Sequence, residues 1–229
     1  MRKEVILGAA FGAALASPFT ANASGGHWLV DDAAIFPPGT LGLELWYEDF
    51  GDSTNGFVIE PAYTFNNGLE LTGVIESFSF GDGREETYGV ELKSLWRDFE
   101  AGDDFGIGWV VGTRNDDAGS LDEIFAYIPV TFPLTDGNWL LHLNAGWMQD
   151  RSGADNKDGF FYGVGSQYAI TPRMELIGEV FTGTGEDLLA QAGVRFSLGD
   201  GPGLMDISYA RNLDNSDDDW FTIGFAWEF

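Results

Sequence analysis

Trp220-Phe221-Thr222-Ile223-Gly224-Phe225-Ala226-Trp227-Glu228-Phe229 alternates strictly, with Phe221, Ile223, Phe225, Trp227 and Phe229 on one face and small or polar residues on the other. Successive side chains of a β-strand point to opposite faces, so one face of this segment is uniformly apolar. A wall with lipid on one side and a polar lumen on the other requires that pattern. A soluble sheet can show the same alternation, but here it runs to the last residue with no polar tail. The segment reads as the closing strand of a transmembrane barrel.

The first residues agree. Arg2 and Lys3 precede an apolar run from Val5 to Leu15, and Ala21-Asn22-Ala23 then forms a small-x-small site before Ser24. This is the pattern of a secretory signal peptide, expected over residues 1–23. The apolar run is too short to span a bilayer as a helix, and no other stretch approaches the roughly 18 to 20 apolar residues that a helix needs. Any membrane crossing must be made by strands. Residues 24–39, with Pro37-Pro38-Gly39 at their end, read as a periplasmic lead-in, and residues 40–229 as one barrel.

Working back from the terminal strand, the alternation repeats about twelve times. Thr40 to Glu48 sends Leu41, Leu43, Leu45 and Tyr47 outward and Gly42, Glu44 and Trp46 inward. Asp104 to Thr113 opposes Phe105, Ile107, Trp109 and Val111 to Gly106, Gly108, Val110 and Gly112. Asn66-Asn67-Gly68, the connection around Gly102, Pro133 to Gly137, Thr171-Pro172 and Gly199 to Gly203 are expected as compact turns. Between them the sequence predicts longer acidic loops, such as Asp49 to Asn55 and Ser79 to Glu86. Short turns on one side and long loops on the other are the outer-membrane pattern. Trp46, Tyr63, Trp109, Trp139, Trp147, Tyr162, Tyr168, Trp220 and Trp227 lie towards strand ends, where interfacial girdles form.

The fold expected is therefore all-β, a single antiparallel transmembrane β-barrel of about twelve strands. The formal net charge of -26 excludes nucleic acid as a partner, because a phosphate backbone would be repelled. The chain has no Cys, which removes disulfides, thiol catalysis and Cys-based metal sites. No cofactor is expected.

Enzymatic readings find little support. Some barrels of this size are lipid hydrolases with a His and a Ser two positions apart on a lipid-facing strand. Here His142-Leu143-Asn144 places an amide in the partner position, without nucleophilic power. His142 also shares a face with Asn144 and Gly146, which points it inward. Calcium could use the Asp-rich stretches around Asp155 and Asp158 and around Asp217 and Asp219, but neither has the full spacing of a calcium loop. Solvated charge, or divalent bridging to lipopolysaccharide, is the plainer account of them.

The inward faces carry the functional information. Glu44, Glu60, Glu70, Glu76, Glu91, Glu175, Glu179 and Asp206 are expected to line the lumen, with Lys93, His142, Arg195 and Arg211. Carboxylates outnumber cations, so an open bore would favour cations and disfavour acidic sugars. At about twelve strands side chains can nearly fill the bore, so a plugged wall and an open channel both fit.

His27-Trp-Leu-Val-Asp31-Asp32-Ala, then Pro38-Gly39, then Leu43-Glu44, resembles the mature N-terminus of outer-membrane transporter-like proteins, including those described as phenol-degradation (MetA-pathway) porins. Gly163 to Pro172, followed by Glu175-Leu176, is similar to a strand and turn of the same group. Trp28 and Val30 stand where that group has Pro and Thr. The terminal Phe229 resembles the signal that the barrel-assembly machinery recognises. The resemblance implies location in the outer membrane of a Gram-negative bacterium, with lipid, lipopolysaccharide and the assembly machinery as partners, and a porin or transporter without a defined solute.

Overall fold

Twelve runs of alternating residues form twelve antiparallel strands, because each leaves one apolar face for the outside and one face of mixed polarity for the inside. The computed structural model describes residues 27–81, 83–153, 156–183, 187–199, 201–215 and 218–229. The expected signal peptide, residues 1–23, lies outside the described residues, as do Asp155 and Asp217. The strands are β1 (Leu41–Gly51), β2 (Thr54–Thr64), β3 (Leu69–Phe80), β4 (Gly83–Arg97), β5 (Gly106–Asp116) and β6 (Leu121–Leu134). They continue as β7 (Trp139–Asp150), β8 (Lys157–Thr171), β9 (Met174–Thr182), β10 (Leu188–Ser197), β11 (Gly203–Asn212) and β12 (Asp219–Glu228).

Each strand pairs with its sequence neighbours, and β12 returns to β1, so the barrel is closed and has no free edge. The closing seam sets Leu45 opposite Phe225 and Tyr47 opposite Ile223, as the terminal strand implied. Leu41, Phe57, Ile75, Val90, Val111, Ile128, Val164, Val180 and Phe225 form an exposed apolar belt. The residues alternating with them are buried, including Glu44, Val58, Glu76, Glu91, Val110 and Glu179. An apolar exterior around a carboxylate-rich interior is the inverse of a soluble barrel.

Two expectations fail. Two of the acidic connections predicted to be long, Asp49 to Asn55 and Ser79 to Glu86, are short: β4 begins at Gly83 just after β3 ends at Phe80, and only Asp52 and Ser53 separate β1 from β2, both in the left-handed region at φ 47° and 64°. That is the two-residue hairpin geometry matching the twist of paired strands. Strands β1 and β4 run on through Asp49 and through Glu85-Glu86, so these charges stand on strands rather than in loops. The connection at residues 98–105, at the opposite end of the barrel, is longer than either. Likewise, Trp46 and Trp220 do not join the interfacial girdle. Trp46 is fully buried inside beside Val58, Val74 and Phe78, and Trp220 stacks on Phe50 with ring centroids 5.6 Å apart.

Candidate functional site: the filled bore

Residues 24–39 were expected as a periplasmic lead-in, but from His27 to Phe36 the chain runs through the interior of the barrel. His27, Trp28, Leu29, Val30, Asp31, Asp32, Ala33, Ala34 and Phe36 are all buried, whereas Pro38 and Gly39 are exposed in the turn that leads into β1. The physical reason lies in the composition: Trp28, Leu29, Val30 and Phe36 are apolar side chains that a solvated arm would leave in water. Inside, Leu29 and Val30 join a core with Val110, Phe125, Tyr127, Met148, Phe161, Phe181 and Leu189. Phe36 packs with Ala62, Leu204 and Ala226. The interior thus holds apolar clusters as well as the acidic and basic side chains expected there.

A segment inside a barrel cannot join the strand ladder, so its main-chain groups need side-chain partners from the wall. They have them. Glu179 on β9 accepts the amides of Leu29 at 2.6 Å and Val30 at 3.0 Å. Asn144 on β7 accepts the Asp31 amide and donates to the Asp31 carbonyl, both at 2.7 Å. Thr131 on β6 accepts from Ala33 at 2.8 Å, and Glu70 on β3 accepts from Phe36 at 2.8 Å.

The segment's own polar side chains are met in turn. Lys93 lies 2.9 Å from Asp31 and 3.6 Å from Asp32, and the Tyr127 hydroxyl donates to the other Asp31 oxygen at 2.8 Å. Two buried acids around one ammonium, with a phenol satisfying a further oxygen, offset the desolvation that isolated charges would suffer. The Trp28 indole donates to Asp206 at 3.3 Å, and Arg195 clamps that same carboxylate through two bonds of 2.8 Å. His27 Nε2 meets the Ser208 hydroxyl at 2.6 Å, and Gln191 donates to the same oxygen at 2.7 Å.

The wall is shaped for this occupant. A Cβ built on Gly42 would fall 2.1 Å from the Phe36 ring, and one on Gly163 2.6 Å from a Val30 methyl. Only glycine leaves room there, so the inward glycines of β1 and β8 are the space into which the segment packs.

A second group fills the bore independently of the segment. Arg114 donates to Glu91 at 2.6 Å and lies 3.4 Å from Glu76, with its guanidinium 5.2 Å from the Phe125 ring centroid. Phe50, Phe78, Phe80 and Trp220 form a chain of ring contacts near the loop end.

Of the residues expected to line the lumen, Glu44, Glu60, Glu70, Glu76, Glu91, Lys93, His142, Glu179, Arg195 and Asp206 are buried inside. Glu175 is half-buried and accepts from Gln167 at 2.6 Å. Arg211 does not belong with them: it is exposed and shares the outward parity of Tyr209, while Ala210 and Asn212 point inward. His142 faces the interior, 3.0 Å from the Thr131 hydroxyl, and Asn144 is committed to Asp31. Asp158 accepts from Gln149, and Asp219 accepts from the Tyr209 hydroxyl. Among the described residues, no group of three or more His, Asp or Glu side chains could hold a metal ion. The sequence reading missed Arg114, Tyr127 and Thr131. Arg114 continues the inward parity of Gly108, Val110 and Gly112, and that is the signal that could have found it.

Comparison with known proteins places the chain. It belongs to the family described as "Uncharacterised conserved protein UCP029691", whose sequence model matches residues 12–229. No curated protein matches it. Among solved structures it is similar to a KdgM porin, described in complex with disordered oligogalacturonate. That match has a TM-score of 0.65 at 10% identity, covering 82% of this chain and 99% of the porin. The NanC porin matches with a TM-score of 0.62 at 11% identity, covering 82% of this chain and 98% of that one. The COG4313 outer membrane channel from Pseudomonas putida F1 gives 0.61 at 12% identity, covering 86% and 98%. The shared property is the fold, a transmembrane β-barrel of porin type, which in this chain has twelve strands.

Proposed function

We propose that this family member is an outer-membrane channel held closed by its own N-terminal segment. With the segment withdrawn, the acidic wall passes small polar solutes and prefers cations. The observation that carries this reading is that His27 to Phe36 fills the bore while meeting the wall covalently only through the exposed Pro37-Pro38-Gly39 turn. Burial of Trp28, Leu29, Val30 and Phe36 contributes about 1.5–3 kcal/mol each. Ordering some ten residues costs about 1–2 kcal/mol each. The wall's hydrogen bonds, at about 1 kcal/mol apiece, add to burial against that cost.

Residence in the outer membrane of a Gram-negative bacterium is supported by the apolar belt, the porin-type fold and the terminal Trp220–Phe229 strand. Phe229 would serve the barrel-assembly machinery, and the acidic rim would meet lipopolysaccharide through divalent cations. With the segment gone, Glu60, Glu70, Glu91 and Glu179 dominate the wall against Lys93, Arg114 and Arg195, which sets the preference for cations.

Planar-bilayer recording of the full chain and of a variant lacking residues 27–36 tests the proposal. The full chain should be mostly closed and the variant open and cation-selective. A folded variant that passes no current, or that prefers anions, removes the idea. A second reading, a non-conducting structural barrel, is favoured by the Arg114–Glu91–Glu76 group, which stays in the bore when the segment leaves.

A further inference from the structure

Ion pairing explains the bore around Arg114 and Arg195, but the groups facing residues 29–36 do something different: they read main chain. Glu179 takes two successive amides, Asn144 pairs with both the N–H and the C=O of Asp31, and Thr131 and Glu70 take the amides of Ala33 and Phe36. An amide side chain that engages both groups of one residue does what a neighbouring strand would do, and it fixes the register of the bound segment. Two side chains are then selected in pockets. Lys93 and Tyr127 hold the Asp31 carboxylate, and the space over Gly42 takes the Phe36 ring. Main-chain bonds for affinity with side-chain pockets for specificity is the logic by which proteins bind extended peptides.

We infer that the bore is a peptide-binding site, specific for a segment with an aspartate after two aliphatic residues and an aromatic five positions later. Residues 29–36, Leu-Val-Asp-Asp-Ala-Ala-Ile-Phe, are its tethered occupant. A free peptide of this acidic, amphipathic class takes the same seat when the resident segment is withdrawn. This rests on the channel reading in one respect, that the segment can leave. A short tether presents its ligand at an effective concentration of the order of millimolar, so a free peptide competes poorly until the tether is severed.

The experiment therefore cuts the tether after folding. A protease recognition sequence is inserted between Pro38 and Gly39 in the exposed turn, and the full-length barrel is folded in lipid and then cleaved. Fluorescein-labelled peptide corresponding to residues 29–36 is added beside a scrambled peptide of the same composition. If the freed segment departs, the labelled peptide should bind at least tenfold tighter than the scrambled one, and Asn144→Ala or Lys93→Met should weaken it at least tenfold. If the freed segment stays, it is itself a peptide held without a tether, and both substitutions should release it. Departure with no preference over the scrambled peptide overturns the site, and so does retention indifferent to both substitutions. Conductance of the same cleaved sample separates the two proposals. Peptide recognition without current in the emptied barrel removes the channel and leaves the site, while current without recognition does the reverse.

Discussion

Val30 and Gly165 face each other at the surface of the wall: a Cβ placed on Gly165 falls 3.2 Å from the Cβ of Val30. One residue belongs to the segment in the bore and the other to β8, so this pair reports directly on whether the segment is seated.

The first prediction uses that contact. Val30→Cys with Gly165→Cys places two thiols in a chain that otherwise has none. Disulfides span Cβ atoms about 3.5–4.5 Å apart, so a few tenths of an ångström of movement lets the pair close. Mild oxidation should link the two cysteines within the folded barrel, detectable as a peptide cross-link by mass spectrometry. Under the proposed gating, the linked protein should not conduct, and reduction should restore its openings. Absence of the cross-link in a folded barrel would place the segment elsewhere.

Glu179 offers a graded test. Its two oxygens satisfy the amides of Leu29 and Val30. Leaving a buried donor without a partner costs about 1–3 kcal/mol. Glu179→Ala should therefore destabilise the seated segment more than Glu179→Gln, which keeps one acceptor. Proteolysis within residues 27–36 should accelerate in the same order, Ala above Gln above the native residue, while the strands remain protected.

Arg114 should behave as the hub of a buried charge group. Removing it leaves Glu76 and Glu91 facing each other without compensation, and breaking a buried pair in this way costs about 3–5 kcal/mol. Arg114→Met should lower the urea midpoint of unfolding in lipid vesicles. Adding Glu76→Gln and Glu91→Gln to Arg114→Met should recover much of the loss. Equal destabilisation by the single and triple variants would refute the coupling.

Ile75 tests the membrane wall. It lies outward in the middle of β3 and is 45% exposed in the isolated barrel. In a soluble protein an exposed substitution away from special features stays within about 0.5 kcal/mol. At the midplane of a bilayer, Ile75→Arg should cost about 2–4 kcal/mol, read as the free energy of folding into vesicles. A neutral result would argue against lipid contact at this position.

Much of the wall was legible because strand parity is a local property. Phe221 to Phe229 declared their faces from sequence alone, as did Leu41 to Tyr47 and Phe105 to Gly112. What failed was everything that parity does not encode. Glu85 and Glu86 look like loop residues because they are charged, yet hydrogen bonding to β3 carries β4 straight through them. Arg211 was assigned inward by its charge, although one position of register puts it outside beside Tyr209. Residues 27–36 have no alternation at all, so their location depended on partners such as Glu179 and Asn144, more than a hundred positions away. Their apolar content was the visible clue, and it argues for burial without saying where.

His27 and Ser208 meet at 2.6 Å across 181 positions of sequence, and Gly224 on β12 lies against the same imidazole. The segment precedes every strand in the chain, while much of its seat is supplied by β9, β11 and β12. Its binding groove does not exist until the far half of the wall has been laid down. The earliest strip of the described chain thus has no complete seat until the last strands of the wall are in place. Anything that slows the pairing of β12 with β1 should therefore also delay the seating of residues 27–36.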